Sequence, residues 1–194
     1  AAVVSPHHGG SATTSPTVFI GDSRRATAHS ADLGAPVDGL LRDAASRFTT
    51  SLTWRPLGLH CLVVEDELIN RKVLERMLAR IHCTCDMQHD GADIDIAGMV
   101  TRQSSPPRSG AVPAARRPYD AILTDIVMPR VDGEQLLSRL REAGITAPCI
   151  ACTSNCSDDD IQRYARIGFN AVLCKPFSVS ALYDVLEPIA AAQA

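Results

Sequence analysis

Four short apolar runs in this chain each hand over to a polar group at the same end. Leu59 to Val64 is followed by Glu65, Asp66 and Glu67. Tyr119 to Thr124 delivers Asp125, with Pro129 shortly after. Pro148 to Cys152 leads into Thr153 and Ser154, and Ala171 to Cys174 leads into Lys175 and Pro176. Runs of four to six apolar residues suit strands covered on both faces. Helix-like stretches stand between them, and strict alternation of this kind requires crossover connections and a parallel sheet. In such a sheet all strands finish on one edge, so acids, a hydroxyl and an ammonium are expected to meet there.

The intervening segments carry the three- and four-residue spacing of amphipathic helices. Glu67 to Ile81 is predicted helical, with Ile69, Val73, Leu74, Met77, Leu78 and Ile81 facing inward. Cys83 to Gln88 reads as a further strand. Gly91 to Val100 reads as a short helix with Ile94, Ile96 and Ala97 inward. Gly133 to Ala143 is predicted helical and is stopped by Gly144. Ser157 to Asp160 has the form of a capping box, opening a helix that ends near Gly168. Ser178 caps a last helix towards Ala190, with Leu182, Val185, Leu186 and Ile189 inward and Pro188 expected to kink or fray it. Five strands and five helices in alternation predict a flavodoxin-like, doubly wound α/β fold. The expected strand order is 2-1-3-4-5, with the chemistry beside the first and third strands.

Two regions break this pattern. Residues 1–58 are expected to be a largely disordered extension. Ala1 to Ser30 is rich in Ser, Thr, Ala, Pro and Gly without a sustained period. A short amphipathic helix is predicted over 37–48. The folded domain is placed at 59–194. Within it, residues 102–118 read as an inserted Pro/Ser/Arg loop, its four arginines more simply solvated than docked on a partner.

Composition removes several function classes. A net charge of −3 gives no field for nucleic acid or an anionic membrane. No stretch is long enough to span a bilayer. Seven cysteines scattered through apolar runs read as small buried hydrophobes, which places the chain in a reducing, cytoplasmic setting. Cys149 and Cys152 have metal-ligand spacing, but residues three apart on a strand face opposite ways. The missing initial methionine is consistent with a segment cut from a longer chain.

Asp125 is the candidate nucleophile. An acid after a strand is more often a turn or cap residue, yet here its partners recur at three other strand ends. Transfer of a phosphoryl group to a carboxylate needs an in-line oxygen, a cation on the phosphoryl oxygens and fixed donors for the rest. Mg²⁺ takes oxygen ligands and keeps several waters, so two carboxylates suffice. Asp66 and Asp125 are the candidate metal ligands, with Glu65 acting through water. Lys175 suits pairing with Asp125 and then with the phosphoryl group. The Thr153 hydroxyl is the candidate donor to a phosphoryl oxygen. Glu67 is read as a surface acid of the first helical turn.

Taken together, four motifs resemble the response-regulator receiver domain. They are Val63 to Glu67 with Asn70 and Arg71; Leu123 to Pro129 with Asp132 and Gly133; Cys152 to Ser154; and Lys175 to Phe177. The Glu-Asp-Glu form and the long loop before the third strand are most similar to receivers of hybrid histidine kinases. The resemblance implies that Asp125 accepts a phosphoryl group from a phosphohistidine on a histidine kinase or a histidine phosphotransfer protein. It implies Mg²⁺ on Asp66, Asp125 and the Val127 backbone carbonyl, assisted by Glu65. Thr153 and Lys175 would meet the phosphoryl group, and the Lys175–Pro176 peptide would be cis. Val172 stands where the family usually has an aromatic residue, and Ser154 where it usually has alanine. Two other readings compete: a pseudo-receiver that only binds partners, and a phosphohydrolase of the haloacid-dehalogenase type. The latter usually carries a second Asp two residues after the nucleophile, where this chain has Val127.

Overall fold

A computed structural model describes residues 54–104 and 118–193. The N-terminal linker, the helix predicted over 37–48 and most of the 102–118 insertion lie outside the described residues. The elements run β1 (His60–Val64), α1 (Leu68–Arg80), β2 (Thr84–Gln88), a single 3₁₀ turn (Gly91–Asp93), α2 (Ile96–Ser104), β3 (Ala121–Asp125), α3 (Gly133–Glu142), β4 (Cys149–Thr153), α4 (Asp158–Ile167), β5 (Ala171–Cys174) and α5 (Val179–Ala191). The strands form one parallel sheet in the order β2-β1-β3-β4-β5, as the alternation predicts.

Strand side chains alternate between two cores. Leu62, Val64, Ile122, Ala151 and Val172 pack with Met99 of α2, Leu136, Leu137 and Leu140 of α3, and Ile161 and Tyr164 of α4. Cys61, Val63, Leu123, Ile150 and Leu173 pack on the other face with Leu74 and Leu78 of α1 and Leu182, Val185 and Leu186 of α5. Burial on both faces is why these strands read as unbroken apolar runs. Each fully buried Leu, Ile or Val contributes about 1.5–3 kcal/mol.

Local chemistry ends the helices where expected. Ser157 and Asp160 complete a reciprocal capping box on α4, and Gly168 closes it in the left-handed region at φ 114°. Asp132 and Ser178 cap α3 and α5 by accepting from Gln135 N and Ala181 N. Gly133 allows a close approach: a β-carbon there would stand 2.3 Å from the Asp125 carbonyl oxygen. Only glycine lets α3 start this near the end of β3.

Several expectations are corrected. On α1 the buried stripe is Leu74, Leu78 and Ile81, while Ile69 is 72% and Val73 44% exposed. One helix against one sheet face hides a single stripe, and the three- and four-residue spacings offered two. The predicted helix at 91–100 is a 3₁₀ turn followed by α2, and Arg102 to Ser104 are helical rather than loop. Met99 is buried there and Ala97 is exposed. Pro188 sits inside α5, which runs on to Ala191. The seven cysteines are not all thiols: Cys156 and Cys174 form a disulfide. The turn after β4 brings them together, a contact between residues 18 apart that strand periodicity does not report. Among the described residues no helix is long and apolar enough to cross a membrane.

Candidate functional site

Register brings the polar strand ends together. Val64 pairs with Thr124, so Glu65 and Asp125 emerge side by side from β1 and β3. Asp125 itself pairs with Cys152 of β4, and Thr153 pairs with Cys174 of β5. The Lys175 amide donates to the Thr153 carbonyl at 2.8 Å, carrying the ladder one residue past Cys174.

Lys175 is the hub. Its Nζ donates to Asp125 Oδ2 at 2.7 Å and to Glu65 Oε2 at 2.6 Å. Burial works against its charge, but the hydrogen bonds to Asp125 and Glu65 outweigh it and hold the ammonium above its ordinary pKa. Glu65 is fully buried, and its second oxygen accepts from Asn70 Nδ2 at 2.8 Å. Asp125 keeps 14% side-chain exposure, so its carboxylate can be reached from solvent. Val127 N donates to Asp125 Oδ1 at 3.2 Å.

Carboxylate oxygens of Glu65, Asp66 and Asp125 lie within 4.8 Å of one another. Three carboxylates against one ammonium leave excess negative charge in a small volume, which a cation relieves. The donor set is all oxygen and partly open, and so fits a hard divalent ion that retains water.

Two further residues hold this arrangement. Arg71 Nη1 donates to the backbone carbonyls of Glu65 at 2.5 Å and Asp66 at 2.8 Å, fixing the acidic turn. Asp90, buried behind the site, accepts from Ala92 N at 2.8 Å, Arg130 N at 3.0 Å and Val131 N at 3.1 Å. Burial alone would raise its pKa, but these amides and Arg130 bring it below the ordinary value. Asp90 thus ties the end of β2 to the loop that contains Val127.

The family model for the response regulator receiver domain matches residues 61–187. This chain belongs to that family. The receiver is 34% identical over 141 residues to a probable histidine kinase 2 of rice, a match covering 70% of this chain and 13% of the rice protein. It is 30% identical to the transcription factor SKN7 of Saccharomyces cerevisiae, over 66% of this chain and 18% of that protein. The match thus spans less than a fifth of these relatives. Among solved structures, the receiver domain of a Pseudomonas aeruginosa sensor histidine kinase, with magnesium coordinated in its active-site cleft, aligns at TM-score 0.52. Identity is 29%, covering 69% of this chain and 98% of that one. The receiver domain of the histidine kinase CKI1 of Arabidopsis thaliana, complexed with Mg²⁺ and BeF₃⁻, aligns at TM-score 0.55 and 25% identity, covering 69% and 90%.

The remaining site residues sort by position. Glu65, Asp66, Asp125 and Lys175 form one cluster. Val127 contacts it through its amide, while its side chain is 67% exposed. Thr153 is buried at the same edge, but its hydroxyl accepts from Asn155 N at 3.1 Å. The Lys175–Pro176 peptide is cis. Glu67 is exposed. Cys149 and Cys152 face opposite cores, and burial pushes their thiols up to about 11 and about 12, so neither offers a thiolate to a metal. Asn70 and Arg71 were legible only as motif letters. Asp90 stood before Gly91 as an ordinary turn signal, and nothing in its spacing announced three amide donors. A cavity of about 350 Å³ opens beside Lys175, lined by Asn70, Val73, Met77, Ser154, Pro176 and Phe177.

Proposed function

We propose that this receiver takes a phosphoryl group from a phosphohistidine onto Asp125, within a histidine-kinase phosphorelay in the cytoplasm. The observation that carries the reading is the reach of Lys175 to both Asp125 and Glu65 at one partly exposed edge. An Asp125 carboxylate oxygen attacks phosphorus, the phosphorus–nitrogen bond breaks, and the imidazole of the donor leaves with that electron pair. Lys175 already orients the nucleophile and then pairs with the new phosphoryl oxygens. Thr153 donates its hydroxyl proton, which the bond accepted from Asn155 N leaves free, to another phosphoryl oxygen. Asp66 and Asp125, the Val127 carbonyl and, through water, Glu65 would hold Mg²⁺. The ion supplies neutralisation of the phosphoryl charge.

The donor is a histidine kinase or a histidine phosphotransfer protein. Leu68, Ile69 and Val73 offer it exposed apolar surface on α1, next to the groove beside Lys175. The similarity to kinase receivers of rice and Pseudomonas supports a place within a hybrid histidine kinase. Val127 has no proton to give, which argues against the phosphohydrolase reading. The test is transfer of label from a phosphohistidine donor with Mg²⁺ present: the wild type is labelled and Asp125→Asn is not. Undiminished labelling of that variant refutes the assignment.

A further inference from the structure

The turn that follows Thr153 is closed by a covalent bond. Cys174 is the register partner of Thr153, and the disulfide joins it to Cys156, three residues further along. The Lys175 amide binds the Thr153 carbonyl at 2.8 Å on the other side of the same ring. Cys156 Sγ itself lies 3.5 Å from that carbonyl oxygen. Thr153 is therefore held by the sheet and by a tethered turn, while its hydroxyl serves the amide of Asn155. Ser154 and Asn155 are exposed, Cys156 is half-buried and Cys174 is buried, so a reductant meets the bond at the Cys156 sulfur. Four of the five remaining thiols are buried.

We propose that Cys156 and Cys174 form a reversible thiol–disulfide site that gates the phosphoryl chemistry: oxidised, it pins the Thr153 turn to β5, and reduced, it lets Thr153 reach a phosphoryl group on Asp125. The inference rests on the receiver reading. Its physical basis is that the bond closes the turn leaving Thr153 onto β5, so drawing Thr153 towards a phosphoryl group on Asp125 has to carry the tethered turn with it. Reduction proceeds by exchange with a dithiol. A thiolate of the dithiol attacks Cys156 Sγ, the sulfur–sulfur bond breaks, and Cys174 leaves as a thiolate that takes a proton. The second thiol then displaces Cys156 and becomes the other half of the reductant's own disulfide. Two electrons and two protons pass from the dithiol to the two cysteines. The reverse exchange, with a disulfide as oxidant, restores the tether. Linkage makes the effect mutual: if oxidation disfavours the phosphorylated form, phosphorylation disfavours the disulfide by the same factor.

The test uses the full chain with acetyl phosphate and Mg²⁺, read by intact mass, which reports both the acyl phosphate and the thiol state. The oxidised protein is prepared with oxidised glutathione and the reduced protein with dithiothreitol. Reduced wild type is expected to accumulate acyl phosphate at least about five-fold faster than oxidised wild type. Cys156→Ala is expected to match reduced wild type with or without dithiothreitol. Equal rates in the two wild-type forms overturn the gate, as does recovery of all seven thiols after oxidation. If no form is labelled, and Asp125→Asn is indistinguishable from them, the receiver reading itself falls and the gate with it.

Discussion

The two edges of the sheet carry polar clusters of opposite character. At the amino edge, the Asp120 carboxylate accepts from His60 N at 2.7 Å, and His60 Nδ1 lies 3.0 Å from Thr84 Oγ1. Tyr119 donates its hydroxyl to Asp86 at 2.7 Å and stacks on the His60 ring. Burial, reinforced by Asp86, pushes the Tyr119 phenol up, so it stays a donor. Acids there are matched by donors from the protein itself. At the carboxyl edge, Glu65, Asp66 and Asp125 crowd together, with Lys175 as the ammonium that Glu65 and Asp125 share. A closed network stabilises the fold, whereas an unbalanced one invites a ligand.

Substitutions at the two edges should therefore separate chemistry from stability. The largest effect is expected from Asp125→Asn, with complete loss of phosphoryl transfer and a fold that remains intact by circular dichroism. Lys175→Met comes next. Breaking a buried pair leaves Glu65 uncompensated and costs on the order of 3 kcal/mol. Added Mg²⁺ should raise the melting temperature of this variant more than that of the wild type, and an equal rise would contradict the charge imbalance. Asp90→Ala strands three backbone amides and should cost about 1–3 kcal/mol in urea unfolding, with weaker Mg²⁺ binding if the loop positions Val127. Tyr119→Phe is the smallest: about 1 kcal/mol of stability, with the phosphorylation rate unchanged. A drop in rate there would erase the distinction between the edges.

Acid titration sharpens the same contrast. The folded-state pKa of Asp90 lies below its unfolded value. Its contribution is fully present above about pH 4, the ordinary carboxylate value, and is lost as pH falls through the depressed folded value. The acid unfolding curve of Asp90→Asn should be flatter than that of the wild type in that range, with no difference between them near neutrality in slope against pH.

Four of the five strands were legible because double-sided burial writes itself as unbroken apolar runs, and the caps at Ser157 and Ser178 because they act within one turn. The convergence of Asp125, Asp66 and Lys175 was legible for the same reason: parallel strands must finish together. Which stripe of α1 would be buried was not, since Ile69 and Val73 are spaced as well as Leu74 and Leu78, and only the sheet beneath could choose.

What the amino-acid order determined by itself is local: the period of each element, its caps, and the residue at each strand end. The tertiary structure decided what depends on register and on turns in space. It set the Lys175 bridge to Glu65, the hold of Asp90 on the loop containing Val127, and the bond between Cys156 and Cys174. Those contacts join residues far apart in the chain, where spacing along the sequence bears no fixed relation to distance.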